Sequence, residues 1–492
     1  MASPLAPLRL APLLLLALAA SGAAPVAAAP DPDTALVYAH VAAEINNTFR
    51  EAQGQLPFPY QVPAGPYDSE WDWDSVFLGV VSSRDFNGSR YFVGSMSNFL
   101  AKTNLTTGEV KGCLTPDGDS PTLFHAKPII IQGAFLAAKF DGGNYSQFIA
   151  FKPAMEALLA YWSSPQRVDA ATGLHVWHDQ LETGADNLVL SLCPSPYSPE
   201  CWSESRDAFT LSAPDVELFV AREHLAFALF LEAWAGEGWR AEAAAHRARA
   251  RAAADTVDRL MWVWKDGAAD GAAAGGYYGG YNVSSSAQAT ITNRTYQMAW
   301  PLWDGGTDNE TLVAMAAAEL QAPDMWTPFG VRSVSSADPR YNNDNIINPY
   351  SNWRGPVWIN VNAVLAFSLR ARGFAAAAAA LAANVVHTLA QDLRATGTWH
   401  VSPSRRRRRA LGRPAPRPSP PLTTRTRNRN RNRNRNTPRT RTRLRAAGGL
   451  PQRDGRRAGR PGLPLVGHAR RDARARRGRG LRPLRARVLK GH

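Results

Sequence analysis

One carboxylate with the potential for chemistry lies near the middle of the chain, at Asp186 in the stretch 177–188, WHDQLETGADNL. Its neighbours Gly184, Ala185 and Asn187 are small, so a ligand could approach the Asp186 carboxyl group closely. A carboxyl group in such a place can exchange a proton with a reacting molecule. The alternative is that Asp186 caps a helix, which Asp does often. The stretch alone leaves both interpretations open.

A second candidate site lies in residues 68–81, DSEWDWDSVFLGVV, where Trp71 and Trp73 alternate with Asp72 and Asp74. An indole face stacks on the apolar face of a sugar ring, and carboxylates accept hydrogen bonds from sugar hydroxyls. The pattern therefore favours a sugar subsite that includes Trp73 and Asp74. The alternative is a strand or a helix entry that carries two solvated acids.

Two further polar residues stand in apolar or aromatic surroundings. Gln132 is the single polar residue inside the segment 127–139, KPIIIQGAFLAAK, between its terminal lysines. Buried amides are most often structural, with their hydrogen bonds satisfied in the core. Arg354 follows Trp353 in residues 348–362, NPYSNWRGPVWINVN. Its planar guanidinium could hold a carboxylate or sugar hydroxyls, or it could tie down the loop by binding backbone carbonyls.

The elements that would position these residues are mostly helical. Apolar spacing, Pro near helix starts and Gly near helix ends predict helices over 34–52, 151–163, 214 to about 236, 239–264, 310–321, 357–372 and 374–393. Pro356 is expected to start one of them, with Trp358 on its first turn. The helices form antiparallel hairpins that share no repeated motif, and long loops rich in Trp, Tyr, Asn and Gly separate them. A closed toroid of paired helices, with the loops gathered over one end, fits this pattern better than a solenoid.

Charge is distributed unevenly along the 492 residues. Residues 1–400 contain 25 basic and 39 acidic side chains, whereas residues 401–492 contain 31 and 2. The net charge of +15 therefore belongs to the tail, and an acidic body does not favour specific binding to nucleic acid. The apolar fraction of 45% and the fifteen Trp are ample for a large core.

Residues 1–30 have the layout of a secretory signal peptide, with an early Arg9, an apolar run and small residues before Pro30. No later run approaches the ~20 apolar residues that a membrane span needs. We therefore expect a protein of the secretory pathway: the endoplasmic reticulum lumen, a vacuole or the extracellular space. Seven Asn-x-Ser/Thr sequons agree with this, at Asn46, Asn87, Asn104, Asn144, Asn282, Asn293 and Asn309.

The chain has three cysteines. Cys193 and Cys201 could close a small disulfide, which would leave Cys113 free or paired with a group outside this chain. Neither their number nor their spacing suggests a metal site, and we expect neither a metal nor another cofactor.

Taken in order, WDWDS at Trp71, GADN at Asp186, the helix pair from Pro214 and YSNWRGPVW at Tyr350 resemble glycoside hydrolase family 63 and its trehalase-like relatives. The resemblance covers about residues 34–400. The compact length looks most like the mannosylglycerate hydrolase branch, since the mannosyl-oligosaccharide glucosidases of the family are larger. It implies an all-α, six-hairpin (α/α)6 toroid that cleaves α-linked glucosyl or mannosyl units of a carbohydrate with inversion.

The resemblance also implies roles for individual residues. Asp186 matches the general acid of the family. Glu182 and Trp177 are further candidates near it. The remaining predicted sugar-binding residues are Trp73, Asp74, Gln132, Trp353, Arg354 and Trp358.

The general base of the family is a Glu that follows an aromatic-His pair near the C-terminus. Here Trp399 and His400 are followed by Val401, Ser402 and a run of Arg. Inverting hydrolysis needs a base to take a proton from the attacking water. The chain as written is therefore expected to be inactive or nearly so, and a non-catalytic sugar-binding relative is the alternative.

Residues 401–492 form an Arg-rich tail that would be disordered, and codon structure suggests its origin. Val401-Ser402 can be encoded by a 5′ splice site, and Ala447-Gly448 can supply the 3′ AG. Removing the intervening bases shifts the frame, after which residues 462–469 can be read as Ala-Phe-Leu-Ser-Trp-Asp-Thr-Leu, similar to the C-terminal end of the family. We therefore predict that residues 401–447 are translated intron, that 448–492 are an out-of-frame exon, and that the toroid over 31–400 is incomplete at its C-terminus.

Overall fold

A computed structural model describes residues 31–63, 67–118, 120, 124–178, 181–185, 188, 211–234, 236–265, 275–283, 289–303, 306–343 and 352–399. They all belong to the first of two compact units, residues 1–417. The second unit, residues 418–492, lies outside the described residues, as do the predicted signal peptide and the rest of the Arg-rich tail.

Helices dominate the described part of the chain. They are α1 (Pro32–Glu44), α2 (Asp72–Asp85), α3 (Ser89–Lys102), α4 (Ile130–Phe140), α5 (Lys152–Trp162), α6 (Pro214–Ala233), α7 (Arg240–Leu260), α8 (Glu310–Leu320), α9 (Ile359–Ala371) and α10 (Ala375–Thr396). A 3₁₀ segment, Tyr296–Leu302, takes the place of a further helix.

Short strands occur in the connections. They are β1 (Phe49–Arg50), β2 (Tyr60–Gln61), β3 (Glu70–Trp71), β4 (Cys113–Leu114), β5 (Leu211–Ser212), β6 (Trp262–Trp264), β7 (Gly276–Tyr278), β8 (Gly280–Asn282), β9 (Ala289–Ile291), β10 (Trp326–Thr327) and β11 (Gly330–Val331). Four antiparallel pairs join β1 to β2, β3 to β4, β6 to β7 and β10 to β11, and β5, β8 and β9 form a three-stranded antiparallel sheet with β8 in the centre.

Local sequence signals explain several helix boundaries. The Asp31 side chain caps α1 by accepting hydrogen bonds from the backbone N–H groups of Asp33 (3.0 Å) and Thr34 (3.2 Å). Asn309 caps α8 in the same way. Pro214 occupies the first turn of α6, where the missing N–H costs no helical hydrogen bond.

Packing divides the helices into two layers: α2, α4, α6, the 3₁₀ segment and α9 pack on one another in that order as an inner layer. Every residue of α4 from Ile130 to Ala138 is buried, as are most of α6 and all of the 3₁₀ segment, so these elements line the inside. Few residues of α7 are buried, and none of α1. Inner and outer elements alternate along the chain, and α1 packs against α10. The all-α (α/α)6 toroid predicted from the sequence is confirmed.

The inner layer is not closed within the described residues. Six helices are outer (α1, α3, α5, α7, α8 and α10), and five segments are inner (α2, α4, α6, the 3₁₀ segment and α9). The first and last inner helices keep exposed apolar side chains: Val81 of α2 is 44% exposed, and Ile359 and Phe367 of α9 are 41% and 39% exposed. The described toroid is therefore incomplete between α9 and α2.

Three predicted boundaries are wrong. The helix expected over 239–264 ends at Leu260, and Trp262–Trp264 form β6, which pairs with β7. The first helix was expected over 34–52 but ends at Glu44, because the Thr48 hydroxyl donates to the Ile45 carbonyl in a 3₁₀ turn and the chain then extends into β1. Pro356 does not start α9. Val357 forms a β-bridge with Arg332, and the helix begins only at Ile359.

A search of the described helices finds none that is both long enough and apolar enough to cross a lipid bilayer.

Candidate active site

The N-termini of the inner helices bring most of the predicted site residues to one end of the toroid. Trp73 and Asp74 lie in the first turn of α2, and Gln132 lies in the first turn of α4. Trp358 is the residue immediately before α9, with an extended backbone (φ −100°, ψ 125°). The first turns of α2 and α4 and residues 352–358 are far apart in the chain, but they converge in the fold.

Aromatic rings form a continuous wall at this end. Trp353 stacks on Trp358 with parallel planes and a centroid distance of 4.0 Å. Its ring centroid is 5.8 Å from that of Trp73 and 5.7 Å from that of Tyr296. Trp353 is buried, whereas Trp358 keeps part of its surface exposed and donates a hydrogen bond to the Asn352 carbonyl (3.0 Å). We name Trp73, Trp353 and Trp358 the tryptophan wall. Trp358, the partly exposed member, could stack on a sugar ring, and Trp73 and Trp353 support it.

A buried ion pair supports Trp73. The Asp72 carboxylate lies 3.1 Å from Lys127 Nζ and also accepts the Lys127 backbone N–H (2.8 Å). The two side chains are 1% and 3% exposed. Lys127 Nζ lies 5.0 Å from the centroid of the Trp73 ring, a cation–π distance. The alternative of two solvated acids in this motif is therefore wrong for Asp72, whereas Asp74 is partly exposed.

The chain segment that leads to Asp186 packs on the same support. A Cβ atom added at Gly184 would lie 2.6 Å from Lys127 Cε and 2.7 Å from Trp73 Cζ2. Gly184 also has φ +76°, which favours glycine. Ala185 and Leu188 are buried, and the Leu188 N–H donates to the Ala185 carbonyl (2.9 Å). Asp186 itself lies outside the described residues, so its role as the general acid stays a prediction.

Gln132 is held from two sides. Its side-chain NH₂ donates to the Pro128 carbonyl (3.0 Å), and its oxygen accepts a hydrogen bond from Arg222 Nε (3.0 Å). The Arg222 guanidinium lies 4.0 Å from the centroid of the Trp303 ring. Gln132 is 2% exposed, so these contacts agree with the structural alternative. Its role as a sugar ligand stays a prediction.

Glu223 anchors the start of α4. Its two carboxylate oxygens accept the backbone N–H groups of Ile131 and Gln132, both at 2.9 Å. Burial raises the pKa of Glu223 to about 7, although these hydrogen bonds oppose the shift. Glu223 thereby fixes the helix turn that carries Gln132.

Trp177 lies beneath the site rather than in the tryptophan wall. It is fully buried and donates from Nε1 to the Asp215 carboxylate (3.1 Å). Asp215, in the first turn of α6, also accepts hydrogen bonds from the Gln297 side chain and the Val216 N–H. Burial raises the pKa of Asp215 to about 6. The position of Trp177 gives it a supporting place, and direct sugar binding by this ring stays a prediction.

Glu182 is buried in an ion pair. Its carboxylate binds the Arg167 guanidinium through both nitrogens of the fork and accepts the His178 N–H (2.8 Å). Burial by itself would raise the pKa of Glu182, but Arg167 outweighs it and holds that pKa below its ordinary value. Glu182 is thus a buried carboxylate bound to a counter-ion, and its predicted role in substrate binding is not tested by this geometry.

Arg354 is buried next to the tryptophan wall. Its backbone N–H donates to Asn352 Oδ1 (2.9 Å), and its backbone carbonyl accepts the Asn342 N–H (2.7 Å). Burial by itself would raise the pKa of Asp338, but Arg340, helped by the charge of Arg354, holds that pKa below its ordinary value. Arg354 is thereby fixed in the loop before α9, next to Trp353 in the chain, and its sugar contact stays a prediction.

Sequence reasoning missed several residues of this end of the toroid. Four buried charged residues were missed: Lys127 before α4, Asp215 in the first turn of α6, and Arg222 and Glu223 in the middle of α6. A charge inside an apolar segment was the signal that could have found them. Cys113 is a free, buried thiol, and Cys193 and Cys201 lie outside the described residues. In the described ranges, no three His, Cys, Asp or Glu side chains are grouped so as to hold a metal ion.

Comparison with known proteins places this geometry in a family. Residues 67–398 match the family model of the mannosylglycerate hydrolase MGH1-like glycoside hydrolase domain. The GH63 mannosylglycerate hydrolase of Thermus thermophilus, solved with glucose, has a similar fold: TM-score 0.51, 18% identity, 70% of this chain and 90% of that one. The neutral trehalase of Saccharomyces cerevisiae is also similar, with TM-score 0.52, 15% identity, and 74% of this chain and 76% of that one.

A curated sequence relative is the cytosolic neutral trehalase of Kluyveromyces lactis, 25% identical over 181 residues. That match covers 33% of this chain and 23% of the trehalase. The family model spans more than half of the chain, and the toroid with its aromatic end agrees with it. The chain therefore belongs to the MGH1-like glycoside hydrolases.

Proposed function

We propose that the complete enzyme is an inverting glycosidase that cleaves an α-linked glucosyl or mannosyl unit, with Asp186 as its general acid. The observation that carries the proposal is the packing of Gly184 against Trp73, which brings the chain within two residues of Asp186 to the tryptophan wall. A sugar stacked on that wall would lie beside the loop that contains the acid.

The reaction needs two carboxyl groups with different tasks. The acid protonates the glycosidic oxygen as the bond to the anomeric carbon breaks, and a base on the opposite face takes a proton from the attacking water. The match of Asp186 to the general acid of the family favours it for the first task. Glu182 does not fit the second, because Arg167 already holds its carboxylate.

We further propose that the base is encoded in the other reading frame of the tail. Two observations support this: no Glu follows Trp399 and His400, and the inner layer lacks a segment between α9 and α2 in the described residues. The exposed Val81, Ile359 and Phe367 would be covered by an apolar helix there. Residues 401–492 contain 31 basic side chains and are poorly suited to that position. Sequencing the transcript tests this, since a mature message that keeps the 401–447 segment would contradict it.

The decisive experiment uses a chain in which residues 1–400 are followed by the segment read in the alternative frame. It is assayed with mannosylglycerate, trehalose and α-glucosyl oligosaccharides, and the anomer released is identified by NMR. We expect hydrolysis of one class of substrate with a β-anomer as the first product. Trehalose is linked through two anomeric carbons, so inversion would release one β- and one α-glucose from it. Release of the α-anomer alone from any substrate, or no hydrolysis of any of them, would contradict the proposal.

A second candidate function is sugar binding without turnover, which the missing base favours. Titration of the chain as written with the same sugars tests it. If the chain as written and the rebuilt chain both bind a sugar, and the rebuilt chain does not hydrolyse it, this function is favoured over the first.

We also propose that the protein enters the secretory pathway. The layout of residues 1–30 and the seven sequons support this. A mature chain that starts near residue 31 when the protein is expressed in a eukaryotic secretory cell would support this proposal.

A further inference from the structure

The seven sequons occupy two kinds of environment. Five of the asparagine side chains are exposed: Asn46, Asn87, Asn104, Asn144 and Asn309. Asn293 is partly buried, and Asn282 is only 7% exposed. An oligosaccharide needs a path to solvent, so the fold separates sequons that can carry one from a sequon that cannot.

Three of the exposed asparagines lie at the end of the toroid opposite the site. Asn87 is in the turn between α2 and α3, Asn144 follows α4, and Asn309 lies between the inner 3₁₀ segment and α8. These connections run from inner to outer elements, whereas the tryptophan wall lies at the inner-helix N-termini. The 14 residues of α2 separate the two ends by about 20 Å.

The local hydrogen bonds of Asn144 and Asn309 do not use the side-chain nitrogen, which is the atom that would be glycosylated. Asn144 Oδ1 accepts the Ser146 hydroxyl (2.9 Å). Asn309 Oδ1 accepts the N–H groups of Thr311 (3.2 Å) and Leu312 (3.3 Å). All of these bonds use the carboxamide oxygen. A sugar attached to the nitrogen would therefore preserve them, including the cap of α8.

Asn282 is in the opposite situation. It lies in β8, the central strand of its sheet, opposite Leu211 of β5 and Ala289 of β9. Because its side chain is buried, an oligosaccharide added to Asn282 before folding would prevent this sheet from packing. Folded molecules are then drawn from chains in which Asn282 is unmodified.

We propose that Asn46, Asn87, Asn104, Asn144 and Asn309 each carry an N-linked oligosaccharide, and that Asn282 carries none. The donor is an oligosaccharide linked to an isoprenoid diphosphate. The asparagine nitrogen forms a bond to the anomeric carbon, the bond from that carbon to the diphosphate oxygen breaks, the nitrogen loses a proton, and the isoprenoid diphosphate leaves without oxidation or reduction. Glycans on Asn87, Asn144 and Asn309 would cover the end opposite the site, whereas Asn46 and Asn104 follow the outer helices α1 and α3. The proposal rests on entry into the secretory pathway, not on the catalytic proposal.

The test expresses the full chain in a eukaryotic secretory cell and maps the glycopeptides from both the medium and the cell lysate. We expect glycans at the five exposed positions and an unmodified Asn282 in folded protein. Ser89→Ala, Ser146→Ala and Thr311→Ala should each remove one glycan by gel mobility, whereas Ser146→Thr should keep it. Ser284→Ala, which destroys the Asn282 sequon, is the matched control and should change nothing.

Two outcomes would overturn the proposal: a glycan on Asn282 in folded protein, or bare Asn87, Asn144 and Asn309 in both medium and lysate. Neither outcome depends on hydrolytic activity, so it leaves the proposed glycosidase reaction to its own assay. A mapped chain that starts near residue 31 would in addition support removal of the predicted signal peptide.

Discussion

Replacing Lys127 with methionine should destabilise the protein by about 3–5 kcal/mol, because the Asp72 carboxylate is then buried without its counter-ion. The two groups are 3.1 Å apart, and both are almost fully buried. At that distance, with an effective dielectric constant of about 20, their attraction is about 5 kcal/mol. The variant also loses the contact of the ammonium group with the Trp73 ring.

The free energy of unfolding is measured by denaturant titration, followed by tryptophan fluorescence and circular dichroism. Lys127→Met is compared with Asp72→Asn and with the double variant. Because the double variant leaves no unpaired charge, it should lose clearly less than the sum of the two single losses. The matched control is Arg247→Met, which removes a partly exposed pair with Glu232 (2.8 Å) and should cost at most about 1 kcal/mol.

The reasoning is refuted if Lys127→Met loses no more stability than Arg247→Met, or if the two single losses simply add. The first result would mean that the pair is not desolvated, and the second that the two side chains act independently. Either would remove the physical basis for a rigid support under the tryptophan wall.

Three further predictions concern single residues. Gly184→Ala should lower the thermal unfolding temperature more than Gly173→Ala does. Both glycines have a positive φ (+76° and +78°), but only at Gly184 would the new Cβ lie 2.6 Å from Lys127 Cε. Equal losses of stability would contradict this crowding. Burial raises the pKa of Glu223 from 4.5 in the unfolded chain to about 7 in the folded protein. The stability is therefore fully present below pH 4.5, and up to about 3 kcal/mol of it is lost as the pH rises through 7. Unfolding titrations between pH 5 and 9 should show this loss, and Glu223→Gln should abolish the pH dependence. In the chain rebuilt with the alternative frame, Asp186→Asn should lower kcat by about 10²–10⁴-fold with little change in sugar binding. The surface variant Asp308→Asn is the control and should keep full activity. An unchanged kcat for Asp186→Asn would exclude Asp186 as the general acid.

The sequence by itself determined the fold class. Helical spacing and the Pro and Gly signals predicted α1 and α5 to α10, because an amphipathic helix records its buried face locally. The helices α2, α3 and α4 were not among those predicted. Two of its inaccurate boundaries were at Ile45–Thr48 and at Pro356–Trp358. There a side-chain hydrogen bond and a β-bridge to a distant residue override helical propensity.

Only the tertiary structure decided which of the candidate side chains face the site and which support it. Trp177 and Trp358 look alike in sequence, but one is fully buried on Asp215 and the other keeps an exposed face. Asp72 and Asp74 alternate in one motif, but only Asp72 is bound to Lys127, 55 residues away. The reason is physical: the burial and ionic partners of a side chain depend on residues distant in sequence, and no local pattern encodes them.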